Sequence, residues 1–267
     1  MRKYSANNEE IIISNLIALI KNPIKLCVDI GAGNLEDGSN TRLLINNGFK
    51  GILIECENDR SSKALDNAHL NKLDVDLYNT HVTQANVNLL INASDAANGI
   101  GVLSIDIDSV DYYILNAILN FSHPQIICIE INERIPPGID YIFPENLSGI
   151  AKDATLISSA GISNYEKLLH RFNYSLVFLE FNNLIAISNT IEVNKNSESE
   201  NIIDIRNCSA EQLWYNGFYK REGWRETMPW NIPFEPIWNA PSELRASLLN
   251  EYFNYGFGLE LDFKNFK

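Results

Sequence analysis

Short apolar runs alternate with helix-like segments along most of this chain, and no other feature constrains the fold as strongly. Strand-like runs are predicted at 24–30, 51–55, 75–78, 101–106 and 125–131, and apolar residues at helical spacing lie between most of them. A chain that returns through a helix after each strand builds a parallel sheet with helices on its faces. The sequence therefore predicts a doubly wound α/β fold.

A hairpin and a separate tail complete the predicted organisation. Two strand-like runs near residue 180 are joined by Phe181-Asn182-Asn183, which is short enough for an antiparallel connection. A polar stretch without hydrophobic period then resembles a linker. We expect a mostly parallel domain over residues 1–192, with an antiparallel hairpin strand at its end. A small appendage over 202–267 would serve as a lid, an acceptor-binding element or an oligomerisation surface.

The predicted appendage is rich in aromatic residues. Its aromatic and basic candidates for ligand contact are Trp214, Trp224, Trp230, Trp238, Tyr215, Tyr219 and Arg221. Aromatic rings of this kind stack on sugars and on nucleotide bases. The alternative is that they dock the tail on the sheet domain or form a dimer surface.

The charge balance narrows the range of partners. With 21 Lys and Arg against 34 Asp and Glu, the net charge of -13 repels phosphate backbones and anionic lipid, so no nucleic-acid partner is expected. No apolar run approaches the roughly 20 residues that a membrane span needs. The four cysteines lack metal-site spacing and are interpreted as reduced. A cytoplasmic protein that acts on a small molecule or glycan is expected, and a homo-oligomer is compatible with the sequence.

A glycine turn follows the first predicted strand, in the motif Asp29-Ile30-Gly31-Ala32-Gly33. Glycines at this position let the backbone approach a bound cofactor at the carboxyl edge of the sheet. The dinucleotide fingerprint requires a third glycine three residues later, where this chain has Glu36. An acid at Asp29 instead suits a ligand that carries a sulfonium and an amino-acid end.

The second predicted strand ends in Glu55, about twenty residues beyond the glycine turn. A carboxylate at this distance accepts hydrogen bonds from the two hydroxyl groups of a ribose. Together, the turn and the acid predict a cofactor that contains a ribose.

Acidic residues crowd the ends of the next two predicted strands. Ser104, Asp106 and Asp108 alternate along one run, and Glu130 and Asn132 alternate at the end of the next. Oxygen ligands of this kind suit Mg²⁺ or Mn²⁺, which would lower the pKa of a substrate hydroxyl. Two alternatives stay open: a metal-free site with Asp108 or Glu130 as general base, and acids in plain contact with solvent.

Several stretches together resemble class I S-adenosylmethionine-dependent methyltransferases, and within them a group found in bacterial capsule and lipopolysaccharide gene clusters. The stretches are 29–33, 37–41, 51–55, 82–88, 103–112, 129–132, 161–163 and 172–177. The resemblance extends to about residue 190. Ser109 stands where such relatives usually have glycine, and the tail matches no known pattern.

The resemblance implies a Rossmann-like fold, S-adenosylmethionine as cofactor and a set of site residues. The cofactor-binding residues would be Asp29, Gly31, Ala32, Gly33, Asn40, Thr41, Glu55, Thr83 and Asp106. The catalytic residues would be Asp108, Glu130, Asp111 and Tyr112, and the ligands of a divalent cation Asp106, Asp108, Glu130 and Asn132. The strand-end acids are also similar to those of catechol-type and some sugar O-methyltransferases.

The expected activity is O-methylation of a sugar hydroxyl, on a nucleotide-linked or glycan-bound sugar of a bacterial surface polysaccharide. Two alternatives accompany it. One is methylation of an amine or of a phosphorus-linked oxygen on a small metabolite. The other is a cofactor-binding domain without catalysis.

Overall fold

The computed structural model describes residues 2–92, 99–145, 158–194, 206, 208–221, 234–257 and 262–266. Nine strands lie in these ranges: β1 Leu26–Ile30, β2 Lys50–Glu55, β3 Val75–Asn79, β4 Val102–Ile105, β5 Ile126–Glu130, β6 Ile139–Asp140, β7 Tyr174–Glu180, β8 Asn183–Ser188 and β9 Lys264–Asn265. All but β6 and β9 belong to one seven-stranded sheet.

The helices of the described ranges are α1 Glu9–Leu19, α2 Arg42–Asn46, α3 Asn58–Leu70, α4 Val87–Asn92, α5 Asp111–Leu119, α6 Ile162–Arg171, α7 Ala210–Trp214, α8 Glu235–Trp238 and α9 Ser242–Phe257. A π-helical turn, Tyr215–Tyr219, continues α7. The longest helix, α9, has 16 residues. No helix within the described ranges has the length and apolar character needed to cross a membrane.

The strand order of the main sheet is β3-β2-β1-β4-β5-β8-β7. Strands β1 to β5 are parallel, and β8 pairs antiparallel with both β5 and β7. The predicted α/β sheet with an antiparallel hairpin at its end is confirmed. The order reverses between β1 and β4, and a crevice that holds ligands forms at such a reversal, outside the carboxyl ends of the strands.

Apolar side chains cover both faces of the sheet. Every residue of β1, β4 and β5 is buried, as expected for parallel strands between two layers of helices. Helices α1 to α3 supply the buried residues on one face, and α4 to α6 supply those on the other. Polar side chains at the carboxyl edge are thus held by strands that cannot easily shift.

Helix α3, between β2 and β3, was not predicted from the sequence. Only Ser61, Ala64 and Ala68 of this helix are buried. These small residues follow helical spacing, but they carry too little hydrophobicity to produce an apolar period. Helix α3 therefore packs on the sheet through small side chains.

The tail is part of the same core as the sheet. Trp214, Phe218 and Trp238 are buried in the apolar layer that includes α4 to α6. Near the end of the chain, β9 pairs antiparallel with β6, a short strand in the segment that follows β5. The described tail residues are therefore packed into the main fold, and the predicted boundary between domain and appendage falls mostly on residues outside the described ranges.

Candidate active site

The glycine turn touches the end of β4 directly. Gly31 follows β1 with a φ of +85°, and a Cβ atom built on it would lie 1.8 Å from the carbonyl oxygen of Asp106. The amide of Asp106 in turn donates to the carbonyl of Ile30 at 2.9 Å. Only glycine fits this position, because any side chain would overlap backbone. Two of the predicted site residues, Gly31 and Asp106, are therefore brought together.

Glu55 anchors the same turn from the end of β2. Its carboxylate is buried, and its two oxygens accept hydrogen bonds from the amides of Gly33 and Glu57, both at 2.8 Å. The amides of Gly31 and Ala32 donate to the carbonyl of Ile54. A carboxylate oxygen accepts more than one hydrogen bond, so Glu55 retains capacity for ribose hydroxyls. That contact stays a prediction.

The loop after the glycine turn is held by buried hydrogen bonds. Thr41 and Ser39 donate to one oxygen of Asp29, at 2.6 Å and 3.3 Å, and Asn40 donates to Ser104 at 3.2 Å. Burial raises the pKa of Asp29 to about 6. The sequence suggested that Asp29 faces the positive charges of a cofactor. In the structure it is enclosed, together with Asn40 and Thr41, so these three side chains shape the loop.

The N-terminal segment covers this loop, which the sequence did not predict. The carbonyl of Tyr4 accepts hydrogen bonds from the amides of Gly38 and Ser39 at 2.7 Å and 3.1 Å. The ring of Tyr4 lies over the buried guanidinium of Arg42, and Glu10 accepts from the amide of Tyr4. No sequence motif marks this pairing, because it depends on backbone groups.

Three carboxylates meet at the ends of β4 and β5. One carboxylate oxygen from each of Asp106, Asp108 and Glu130 lies within 4.8 Å of the others. Ile105 is paired with Ile129 in the parallel register, which sets Asp106 beside Glu130. The predicted cluster therefore forms. The cluster does not arise from side chains that alternate along one strand, as the sequence suggested. Strand β4 ends at Ile105, and Asp108 lies beyond it with a left-handed φ of +54°.

The cluster holds more negative charge than its surroundings compensate. Burial, followed by the neighbouring acids, raises the pKa of both Asp106 and Glu130 well above the usual carboxyl range. Burial also raises the pKa of Asp108, against which the positive charge of Arg60 acts. One oxygen of Glu130, Oε2, is buried without a hydrogen-bond partner among the described residues. Buried, crowded carboxylates with a raised pKa are a common feature of functional sites.

Asp111, predicted as catalytic, accepts hydrogen bonds from the backbone, and its catalytic role stays a prediction. It is completely buried at the start of α5, and its oxygens accept from the amides of Ile107 and Ser109 at 2.9 Å and 3.0 Å. Both oxygens thus hold the turn that carries Asp108. Tyr112 is partly buried and packs against the ring of Tyr165, with centroids 5.6 Å apart. A catalytic role of Tyr112 stays a prediction.

Asn132 and Thr83 both form hydrogen bonds within the protein. Asn132 donates to the carbonyl of Ser158 at 3.0 Å, and its side-chain oxygen accepts from the amide of Arg134 at 3.2 Å. Its side-chain amide group thus connects the segments behind Glu130, and its role as a metal ligand stays a prediction. Thr83 is exposed after β3 and exchanges hydrogen bonds with Asn86. Its contact with a cofactor stays a prediction.

Ser159 and Asn182 were not singled out from the sequence, yet both contact Glu130. Ser159 has a left-handed φ of +60° and donates from its hydroxyl to the carbonyl of Glu130 at 2.6 Å. Asn182 donates to Oε1 of Glu130 at 2.8 Å. A polar hairpin turn opposite the end of β5 was the available signal for Asn182, and a serine within a long loop gave none.

The described tryptophans of the tail support the docking alternative. The indole nitrogens of Trp214 and Trp238 donate to the carbonyls of Glu133 and Arg134, at 2.7 Å and 2.8 Å. Both rings are buried, which favours docking over stacking on an acceptor for these two. Among the other candidates, Tyr215 is exposed, Tyr219 stacks on Trp214 and Arg221 pairs with Glu180, whereas Trp224 and Trp230 lie outside the described residues.

No family model matches the chain, and no curated protein matches it. Solved structures do. A candidate O-methyltransferase from Klebsiella pneumoniae is 14% identical with a TM-score of 0.46, over 70% of this chain and 82% of that one. Magnesium protoporphyrin IX methyltransferase from Synechocystis, with bound S-adenosylhomocysteine, is 11% identical with a TM-score of 0.40, over 68% and 82%.

A third match is an S-adenosylmethionine-dependent methyltransferase from Clostridium acetobutylicum. It is 10% identical with a TM-score of 0.41, over 67% of this chain and 90% of that one. All three TM-scores are below 0.5, so function is inferred from the chain's own residues.

Proposed function

We propose that this chain is an S-adenosylmethionine-dependent O-methyltransferase that acts on a sugar hydroxyl. One observation carries the proposal: the contact between Gly31 and the backbone of Asp106. This contact sets the turn that would hold the cofactor beside the acids that would hold the acceptor. Methyl transfer requires this proximity, because acceptor oxygen and methyl carbon must approach in line.

The residues around the turn fit the cofactor. Gly31 and Gly33 have positive φ, which gives a turn without side chains at the carboxyl edge of the sheet. The buried carboxylate of Glu55 would accept hydrogen bonds from the ribose. The acids at the end of β4 would favour the positive end of the ligand. The cofactor would supply an electrophilic methyl group.

The acid cluster has the chemistry for the other half of the reaction. An acceptor hydroxyl must lose a proton as its oxygen attacks, and a carboxylate whose pKa is raised toward neutrality is a suitable general base. The pKa of Asp108 and that of Glu130 are both raised. We assign the base to one of these two, and the orientation of the acceptor to the other.

A divalent cation also fits the cluster. Asp106, Asp108 and Glu130 would hold it, since Mg²⁺ and Mn²⁺ prefer oxygen ligands and Oε2 of Glu130 is buried without a partner among the described residues. Such an ion would lower the pKa of an acceptor hydroxyl. EDTA distinguishes the alternatives: metal-dependent turnover would be lost and then restored by Mg²⁺ or Mn²⁺, whereas a carboxylate base would be unaffected.

The sugar and its place in a bacterial surface polysaccharide rest on the resemblance of the motifs around residues 29–33 and 103–112. An amine acceptor is the second candidate, because the uncompensated acids at Asp106, Asp108 and Glu130 would favour an ammonium group. The two candidates differ in the acceptor that they methylate.

The first experiment is titration calorimetry with S-adenosylhomocysteine. Release of this product from S-adenosylmethionine is then followed with panels of nucleotide sugars, amino sugars and phosphorylated metabolites. Turnover with nucleotide sugars that carry no amino group supports the proposal, and turnover with amino sugars or phosphorylated metabolites alone replaces the acceptor. Binding without turnover would indicate a non-catalytic cofactor-binding domain. A folded protein that binds no S-adenosylhomocysteine would overturn the proposal.

A further inference from the structure

We infer that Asn182 is a positioning residue for Glu130, delivered to the active site by the turn of the β7–β8 hairpin. The inference rests on the proposed function for its catalytic consequence. The side chain of Asn182 donates to Oε1 of Glu130 at 2.8 Å, and its carbonyl accepts from the amide of Ile131 at 2.8 Å. Asn182 of the hairpin turn is therefore bonded both to the Glu130 side chain and to the backbone of the next residue, Ile131.

The hydrogen bond from Asn182 makes the two carboxylate oxygens of Glu130 different. Oε1 is occupied by the amide, whereas Oε2 is buried without a partner among the described residues. A carboxylate held at one oxygen cannot rotate freely, so the other oxygen keeps a fixed direction. Asn182 is also neutral, so it orients Glu130 without the charge that a lysine or arginine would bring to the same bond.

The hairpin turn is held in place by contacts with the tail. Phe181 has a left-handed φ of +60°, its amide donates to the carbonyl of Gly217 at 3.3 Å, and its ring lies 5.4 Å from that of Phe218. A Cβ atom on Gly217 would lie 2.1 Å from the carbonyl oxygen of Leu179, so the tail touches the hairpin backbone.

A second asparagine holds the turn against the N-terminal helix. Asn183 is buried opposite Glu130 in the antiparallel register and donates to Glu9 at 3.1 Å. The turn thus has supports from the N-terminal helix and from the tail. A rigid support is what a positioning residue requires, because a mobile donor would not fix the carboxylate.

A double-mutant cycle tests the inference. Asn182→Ala is expected to lower kcat roughly tenfold, the usual effect of one lost hydrogen bond to a charged group, with little change in the KM for S-adenosylmethionine. In a Glu130→Gln background the same change should have no further effect, because Asn182 acts only through that carboxylate. Equal effects in both backgrounds would overturn the inference. Asn189→Ala is the matched control, since Asn189 lies exposed just beyond the other end of β8.

Crystal structures provide a readout that needs no turnover. In the wild-type protein Glu130 should keep its bond to Asn182, and in Asn182→Ala its side chain should rotate or become disordered. An unchanged Glu130 side chain in a folded Asn182→Ala variant would contradict the inference, even if the protein bound S-adenosylhomocysteine. Failure of that binding together with a rotated Glu130 would instead overturn the proposed function alone.

Discussion

The two halves of the active-site edge differ in how their polar groups are satisfied. In the cofactor half, residues 29–41 with Glu55, buried side chains are joined by hydrogen bonds, as between Asp29 and Thr41 at 2.6 Å. In the acceptor half, Asp106, Asp108 and Glu130 crowd together, and one oxygen of Glu130 has no partner among the described residues. The first half is built to keep its shape, whereas in the second half burial and the neighbouring acids raise the pKa of Asp106 and Glu130.

This difference indicates where binding and chemistry are divided. A network in which each buried group has a partner is rigid and specific, so it suits recognition of an invariant ligand. Buried acids that repel each other are costly, and they are retained where a perturbed pKa is useful. We therefore expect substitutions in the cofactor half to affect folding and affinity, and substitutions in the acceptor half to affect turnover.

The largest effect is expected from Gly31→Ala. The new Cβ would meet the carbonyl oxygen of Asp106 at 1.8 Å, in a backbone conformation with a φ of +85°. Overlap and backbone strain together should reduce the free energy of unfolding by about 4 kcal/mol or more. Gly38→Ala is a matched control with the same φ and no atom within 4 Å of the new Cβ. It should cost only about 1–2 kcal/mol in urea unfolding, and equal losses would contradict the contact.

The next largest effect is the contribution of Asp29 to the pH dependence of the free energy of unfolding. Its pKa is about 6 in the folded protein, against an ordinary value of 3.8. The folded state therefore binds this proton more tightly, so the stabilisation is complete below pH 3.8 and is lost as pH rises through 6. The loss should be about 3 kcal/mol from this group.

Asp29→Asn isolates that contribution. An asparagine oxygen still accepts from Ser39 and Thr41, but the side chain no longer titrates. Urea unfolding at several pH values should show a flatter decline between pH 4 and pH 7 than in the wild-type protein. Parallel curves for the two proteins would show that Asp29 does not titrate in this range.

In the acceptor half, Glu130→Gln should lower kcat about 10²-fold, through loss of proton transfer or of a ligand to the cation. It should also raise the melting temperature, because one of several crowded buried acids is removed. Asp108→Asn should lower kcat similarly. This substitution should leave the fold intact, because asparagine tolerates the left-handed backbone at this position. Glu211→Gln, on the exposed face of α7, is the control. Wild-type rates in both site variants would remove the acid cluster from catalysis.

The smallest effect is expected from Glu55→Ala, which should weaken binding of S-adenosylhomocysteine by about 1–3 kcal/mol. Calorimetry measures this directly. Glu57→Ala removes a neighbouring exposed acid whose partner is Arg60, and should leave affinity unchanged. If Glu55→Ala binds as tightly as the wild-type protein, Glu55 serves only to hold the amides of Gly33 and Glu57.

Features that depend on local pattern were predictable from the sequence. The parallel strands, the glycine turn beside Asp106 and the meeting of Asp108 with Glu130 all follow from alternating segments that end at one sheet edge. Whether an acid faces a ligand was not predictable. The hydrogen bonds that Asp111 accepts from backbone amides could not be predicted, because they depend on a turn whose conformation no residue type specifies.

Long-range packing could not be predicted from the sequence either. The sequence left stacking and docking open for the tail tryptophans, and it gave no sign that Trp214 and Trp238 donate to carbonyls about eighty to a hundred residues earlier in the chain. Helix α3 escaped prediction because small residues such as Ala64 and Ala68 bury its face. In both cases the missing information concerns which surfaces approach each other.

The pairing of β9 with β6 joins two segments that lie far apart in the sequence. Lys264 and Asn265 pair with Ile139 and Asp140, just beyond the acids of β5. The entropic cost of closing a loop rises with its length, so a contact between distant segments is expected to form late in folding. The segment behind Glu130 should therefore gain its partner strand only after the neighbouring parallel strands have paired.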